Sequence, residues 1–470
     1  MAPRVLPVVA FLLFARPVSG ADPVAAPWKF DEIVLKNGAR FQGLLLEETD
    51  KAYRFQIVRR PPGRPTITLT DVFDRVDVAR VNALTEKDRQ ALREKLAELD
   101  PHGSGERKRM DDLEIAPTAW LGRPKGASRY ESEQFVLIAG TPDEVTRRAA
   151  VRLEQIYAAY ARLLPPRVKA ERPTQVLLAG DPADYRKLLS ASGPVLNQAV
   201  YLPAENKVVC GSDLQAQGRL LAANRVHVVQ QLATIDEYET RIKALYKGAD
   251  ADLKRFLAAA ADQRKDVWAE ARAQDADFDR ANRRLFSLLY HEAFHAYTMT
   301  YVYPPRKPDE VKAGKGTGEL PRWLNEGLAQ VFETAVLEAG ELRIGAADRE
   351  RLEKAQDFLR GKGGARLVPV ADLLRSGRDA FIAAHTDQQA AADRAYLTAW
   401  AVTHFLTFHL HRVGSKDFDA YLTAVNSGGD PVKAFETLVG KPVPAFETEF
   451  HDYLSRLLPD GKLRPAGEPR

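Results

Sequence analysis

At 470 residues the chain has room for two or three domains, and a 45% hydrophobic content is enough to build real cores. A formal net charge of only +4, with basic residues interspersed among acidic ones, argues against a nucleic-acid or other polyanionic partner. The single cysteine, Cys210, excludes an intramolecular disulfide and a lipid-modified N-terminal cysteine.

Residues 1–21 read as a signal peptide. Arg4 supplies the positive end, residues 5–14 are apolar, and small residues over 17–21 offer cleavage after Gly20 or Ala21. So short an apolar run does not span a bilayer as a helix. The expected protein is exported, periplasmic or extracellular, with no stable membrane anchor after cleavage. Residues 22–83 read as β structure, with an Asn37-Gly38 hairpin signal and alternating runs over 41–46 and 53–58. Four or five short strands predict a small SH3- or Sm-like barrel, a solvated docking module.

Over 84–127 a charged helix at 85–99 leads into a linker, residues 100–125, punctuated by Pro and Gly. Residues 128–212 alternate strands and helices: strands at 134–138 and 175–179, helices at 142–164 and 184–189, then a hairpin of 197–201 with 207–210. Residues 213–280 predict an antiparallel helical hairpin. Leu221, Val228, Leu232, Ile235, Tyr238, Ile242 and Leu245 line one arm, and Leu253, Leu257, Ala260, Val267, Ala271, Phe278, Ala281, Leu285 and Leu288 the other, with the turn at 248–250. Residues 281–460 read as a helical half, and 461–470 as a tail, loose from 463.

The chemistry concentrates in that last half. His291-Glu292-Ala293-Phe294-His295 is an H-E-x-x-H within an uninterrupted helical pattern. Its four-residue spacing puts both imidazoles on one helix face, one turn apart, where they can grip one Zn²⁺. Glu292 then faces the open side of the metal as general base for a zinc-activated water. Downstream, Trp323-Leu324-Asn325-Glu326-Gly327-Leu328-Ala329 supplies Glu326 as a suitable third ligand, leaving one position open.

Together these two motifs resemble the gluzincin metallopeptidases, the group of thermolysin, aminopeptidase N and the bacterial peptidase-MA-like proteins. The resemblance spans roughly residues 130–458. It implies an α+β gluzincin fold, a mixed sheet followed by a helical half, here with the helical hairpin inserted and the β-barrel added in front. It implies His291, His295 and Glu326 as zinc ligands and Glu292 as the base. Glu333, seven residues after Glu326, matches an acid that supports the ligands from behind. Tyr396, in Tyr396-x-x-Ala399-Trp400-Ala401, matches a tyrosine that donates to the developing oxyanion. The resemblance also implies an edge strand that pairs with extended substrate, for which residues 207–210 are the expected element. The chain lacks the G-x-M-E-N run of aminopeptidases, so endopeptidase-like cleavage of protein or peptide substrates is the expectation.

The alternative is a non-catalytic binding protein that uses a peptidase-like fold, with barrel and hairpin as surfaces for a protein partner. A scaffold has no physical need for Glu292. Between the motifs, residues 303–318 are rich in Pro, Gly and Lys and predict a mobile loop beside the cleft.

Overall fold

Five antiparallel strands open the structure: β1 (Asp31–Leu35), β2 (Arg40–Glu48), β3 (Ala52–Arg59), β4 (Ile67–Asp74) and β5 (Val78–Asn82). The computed structural model describes residues 28–36, 40–59, 67–97, 107–189, 198–247, 250–338, 341–343, 347–364, 366–381, 386–459 and 461–465. The expected signal peptide and the Asn37-Gly38 turn therefore lie outside the described residues. Strand order is β4-β3-β2-β1-β5. Alternation buries Ile33, Phe55, Ile57 and Phe73 in a small core of their own.

The expected closed barrel does not form, since β4 and β5 stay unpaired with each other among the described residues. Nor is the module solvated all round. Arg162, from the neighbouring helix, lies over the rings of Phe41 (5.0 Å) and Phe73 (4.7 Å) and pairs with Asp71 at 2.6 Å. A foreign guanidinium caps the aromatic end of the small core, where a closed barrel would supply its own cover.

After α1 (Glu86–Ala97) and α2 (Arg107–Asp111) comes a six-stranded mixed sheet. Its strands are β6 (Ala116–Trp120), β7 (Arg123–Glu131), β8 (Phe135–Gly140), β9 (Thr174–Ala179), β10 (Ala199–Leu202) and β11 (Lys207–Gly211), in order β10-β11-β9-β8-β7-β6. Two helices lie among them, α3 (Asp143–Leu163) and α4 (Pro182–Leu188).

Two expectations change here. Residues 116–125, read as linker, form an edge hairpin, whose Trp120 indole donates to Asp184 at 2.8 Å and packs on Gly140. Pro117 and Pro124 sit at the sheet edge, where a missing N–H costs little. The expected substrate-side edge strand, 207–210, is interior, parallel to β9 on one side and antiparallel to β10 on the other. The edge is β10.

The hairpin forms: α5 (Leu214–Leu245) runs antiparallel to α6 (Asp250–Tyr297), around Val228, Ile235, Ala260, Val267 and Ala271, but Tyr238 and Leu245, expected in the seam, are exposed near the end of α5, where the packed stripe gives out. Its expected turn falls partly on residues outside those described. At 48 residues α6 is about 72 Å long. Its outer half is the hairpin arm; its inner half enters the main core and carries the H-E-x-x-H. There it packs on α3, which is buried for most of its length, through Tyr157, Tyr160, Phe294 and Tyr297.

The remainder is helical apart from a two-stranded ribbon, β12 (Val336–Glu338) with β13 (Glu341–Arg343). Its helices are α7 (Pro308–Glu310), α8 (Arg322–Glu333), α9 (Arg349–Leu359), α10 (Val370–Arg375), α11 (Thr386–Phe408), α12 (Lys416–Asn426), α13 (Pro431–Val439) and α14 (Val443–Arg456). An α+β organisation is thus what the chain adopts. The start of the expected loose tail is held: Leu463 bridges to Leu457, and Arg464 N–H donates to Arg456 O at 2.9 Å. No helix among the described residues is long and apolar enough to cross a membrane.

Candidate metal centre

Three elements build the site. The inner end of α6 brings His291, Glu292 and His295; α8 brings Glu326 and Glu333; α11 brings Tyr396. The approach of α8 to α11 depends on Gly327, directly after Glu326. A Cβ there would meet Thr403 Oγ1 at 2.2 Å and the Ala399 carbonyl oxygen at 2.5 Å. Only a glycine lets the two helices come this close.

The ligating atoms of His291, His295 and Glu326 all lie within 4.8 Å of one another. His291 Nε2 is 3.3 Å from Glu326 Oε2, and His295 Nε2 is 3.7 Å from Glu326 Oε1. The Glu326 carboxylate is 2% exposed, so an uncompensated charge there would be costly. Burial works against its ionisation, yet the two histidines and Arg322 hold its carboxyl down at about 2. On the outer side of His291, Nδ1 meets Glu333 Oε2 at 3.2 Å, and Arg351 pairs with Glu333 Oε1 at 3.0 Å. Burial would lower the His291 pKa, but hydrogen bonds from both sides, to Glu326 and Glu333, lift it to about 10. His295 lacks that second carboxylate: burial pushes its pKa down, Glu326 opposes, and the charge of His291 adds to the fall.

This donor set suits a divalent zinc-type cation. Two imidazoles and one ionised carboxylate converge, and the outer nitrogen of one imidazole rests on a further carboxylate, as metal-bound histidines do. His295 Nδ1 is buried without a hydrogen-bond partner.

Glu292 projects from the same turn of α6 toward the sheet, where its Oε2 accepts from the backbone N–H of Tyr201 at 2.8 Å. The edge strand β10 thus touches the expected base. Tyr396, half-buried, donates its phenol proton to the carbonyl of Phe381 at 3.1 Å and also lies within hydrogen-bonding reach of Arg322. Burial, reinforced by the nearby Glu326 charge, pushes its phenol up to about 12, so it stays protonated at neutral pH. All six expected residues are brought to one place.

Several participants were not singled out from sequence. Arg322 pairs with Glu326 at 2.6 Å from one turn earlier, a spacing the helix i,i+4 rule could have flagged. Arg351 and Tyr201 come from distant segments, for which no local signal exists.

The segment expected to be a mobile loop is hydrogen-bonded near both its ends. The carbonyl of Thr317 accepts from the N–H of Arg306 at 2.8 Å, and Asn426 on α12 accepts from Gly318 N–H at 3.0 Å while donating to Glu319 O at 3.2 Å.

Among known families, one described as a protein of unknown function, DUF1570, matches residues 312–426. That span contains Arg322, Glu326, Glu333 and Tyr396 and excludes the H-E-x-x-H. No curated protein and no solved structure matches the chain.

Proposed function

We propose that this protein is a zinc-dependent peptide hydrolase of gluzincin type, endopeptidase-like in its access. The observation that carries the reading is the convergence of His291, His295 and Glu326 within 4.8 Å. Bound zinc would supply Lewis acidity and lower the pKa of a coordinated water to roughly 7. The protein's own groups do the rest. Glu292, oriented by the Tyr201 N–H, takes the proton from the attacking water and delivers it to the leaving amine. Tyr396 stands ready to exchange the Phe381 carbonyl for a developing oxyanion. Strand β10, whose backbone already reaches Glu292, offers an edge for an extended peptide. An N-terminal export signal would place this activity in the periplasm or outside the cell.

The test is metal analysis of the purified protein with a mixed-peptide cleavage screen, run beside Glu292→Gln. Zinc in both proteins with cleavage only in the unsubstituted one is the expected result. Zinc in both and cleavage in neither would instead favour a binding role.

A further inference from the structure

Arg322 has no part in the three-ligand scheme, yet it stands at its centre. It is the first residue of α8, one turn before Glu326, and its side chain is 38% exposed, open to solvent. One end, Nη2, meets Glu326 Oε1 at 2.6 Å, an ion-pair contact without the alignment of a hydrogen bond. Its Nε is buried without a partner. The Tyr396 phenol lies within hydrogen-bonding reach of the same guanidinium. A buried guanidinium N–H left unpaired costs free energy unless a ligand completes it.

Charge counting points the same way. Without a metal, Arg322 helps to neutralise Glu326. A divalent cation held by the two histidines and Glu326 takes over that role, with Glu292 as the second negative charge beside it. Glu333 and Arg351 already neutralise one another. The charge of Arg322 is then in excess, next to the reacting position, and the site favours a ligand that acquires negative charge.

Resting on the hydrolase reading, we propose that Arg322 is a catalytic residue that binds, with Tyr396, the oxyanion formed at the scissile carbonyl. As the water oxygen bonds to the carbonyl carbon, the π pair moves onto the carbonyl oxygen, and the water proton goes to Glu292. Collapse returns that pair, breaks the C–N bond and sends the proton to the amine. The guanidinium interacts more strongly with the oxyanion than with the neutral carbonyl, so its effect falls on kcat more than on KM. Its planar fork can serve Glu326 and the oxyanion at once, which a lysine's point charge does less well.

The experiment compares Arg322→Gln and Arg322→Lys with the unsubstituted protein. The probes are a phenylalanyl–alanine phosphinic pseudopeptide, a tetrahedral anion, and its neutral hydroxyethylene analogue. Zinc affinity is measured separately by chelator competition, and folding by melting temperature. The proposal expects zinc-loaded Arg322→Gln to lose phosphinate affinity and kcat on the order of 10²-fold. Binding of the neutral analogue should change little, and Arg322→Lys should recover part of the loss.

Phosphinate affinity retained by zinc-loaded Arg322→Gln, with zinc affinity reduced, would overturn the proposal and make Arg322 a positioning residue for Glu326. Should Arg322→Gln fail to fold, undiminished phosphinate affinity and kcat in Arg322→Lys would count against the guanidinium equally. Zinc uptake without phosphinate binding by the unsubstituted protein would overturn this proposal alone. Absence of zinc uptake would remove the hydrolase reading beneath it.

Discussion

His291 has a carboxylate on each ring nitrogen, and this arrangement makes its behaviour testable. Its metal-free pKa of about 10 stands above the ordinary 6.5. The stabilisation it gives the metal-free fold is therefore fully present below about 6.5 and fades as pH climbs toward about 10. Zinc needs the neutral imidazole, so its uptake displaces a proton and strengthens over the same window. The rise in melting temperature on adding zinc should grow with pH between these limits. An increment that stays flat in scanning fluorimetry would show that His291 is not a ligand.

Glu333→Gln keeps the size of the side chain but removes the charge behind His291. Zinc affinity should fall on the order of 10- to 100-fold, read by chelator competition. Removal of a proposed direct ligand, in Glu326→Ala, should cost far more; equal losses for the two would contradict their different placements. At this scale the sequence is most informative. The pairing of the two H-E-x-x-H histidines follows from helix periodicity, and the acid seven residues beyond Glu326 from the resemblance to the gluzincins. Arg351 and Tyr201 reach the site through tertiary packing, and no spacing rule connects them to it.

The closest helix pair at the site, α8 and α11, meets at Gly327. Replacing a helical glycine by alanine gains about 1 kcal/mol of helix propensity when space allows. Here the new methyl would sit 2.2 Å from Thr403 Oγ1 and 2.5 Å from a backbone oxygen. Overpacking of this kind typically costs about 1–3 kcal/mol, so sterics should win. Gly327→Ala is expected to lower the melting temperature and, by moving Glu326 relative to α6, to weaken zinc binding. A stabilised Gly327→Ala with unchanged zinc affinity would mean that the helices do not approach this closely in solution.

The elements legible in the sequence are those with long, uniform periodicity: the two hairpin arms and α3. The edge strand was not. Residues 197–201 and 207–210 both read as hairpin strands, and their order in the sheet depends on which one pairs with β9. The near-continuous burial of β11 reflects an interior strand parallel to its neighbour, whereas β10 is half-covered. Pattern alone distinguishes such a pair poorly when each strand is only four or five residues long.

For the molecule as a whole, the open β module raises the question of what fastens it to the rest of the chain. Its strands were legible from alternation and turn residues, but closure was not, because what covers the open end comes from α3. Beside the packing of β4 against α3 and β13, three side-chain contacts stand out at the boundary among the described residues. Arg162 reaches Asp71, Phe41 and Phe73; Arg109, buried, donates to Thr68 Oγ1 at 3.2 Å; and Arg59 faces Glu133 at 3.9 Å. The last pair is solvent-exposed and contributes little. The Arg162 contact differs because the guanidinium stacks on two rings of the module's own core, where a cation–π contact adds about 0.5–2 kcal/mol to the ion pair. Arg162→Glu should reverse the attraction into repulsion against Asp71 and uncover Phe41 and Phe73. Limited proteolysis should then cut between the module and the sheet domain faster than in the parent, while zinc affinity and peptide cleavage stay within a few-fold. Arg162→Met, which keeps apolar cover over the rings without the charge, should fall between the two. Cleavage at the parental rate in Arg162→Glu would mean that other contacts hold the module. A parallel loss of zinc binding would mean that the module supports the metal centre and is not simply appended to it.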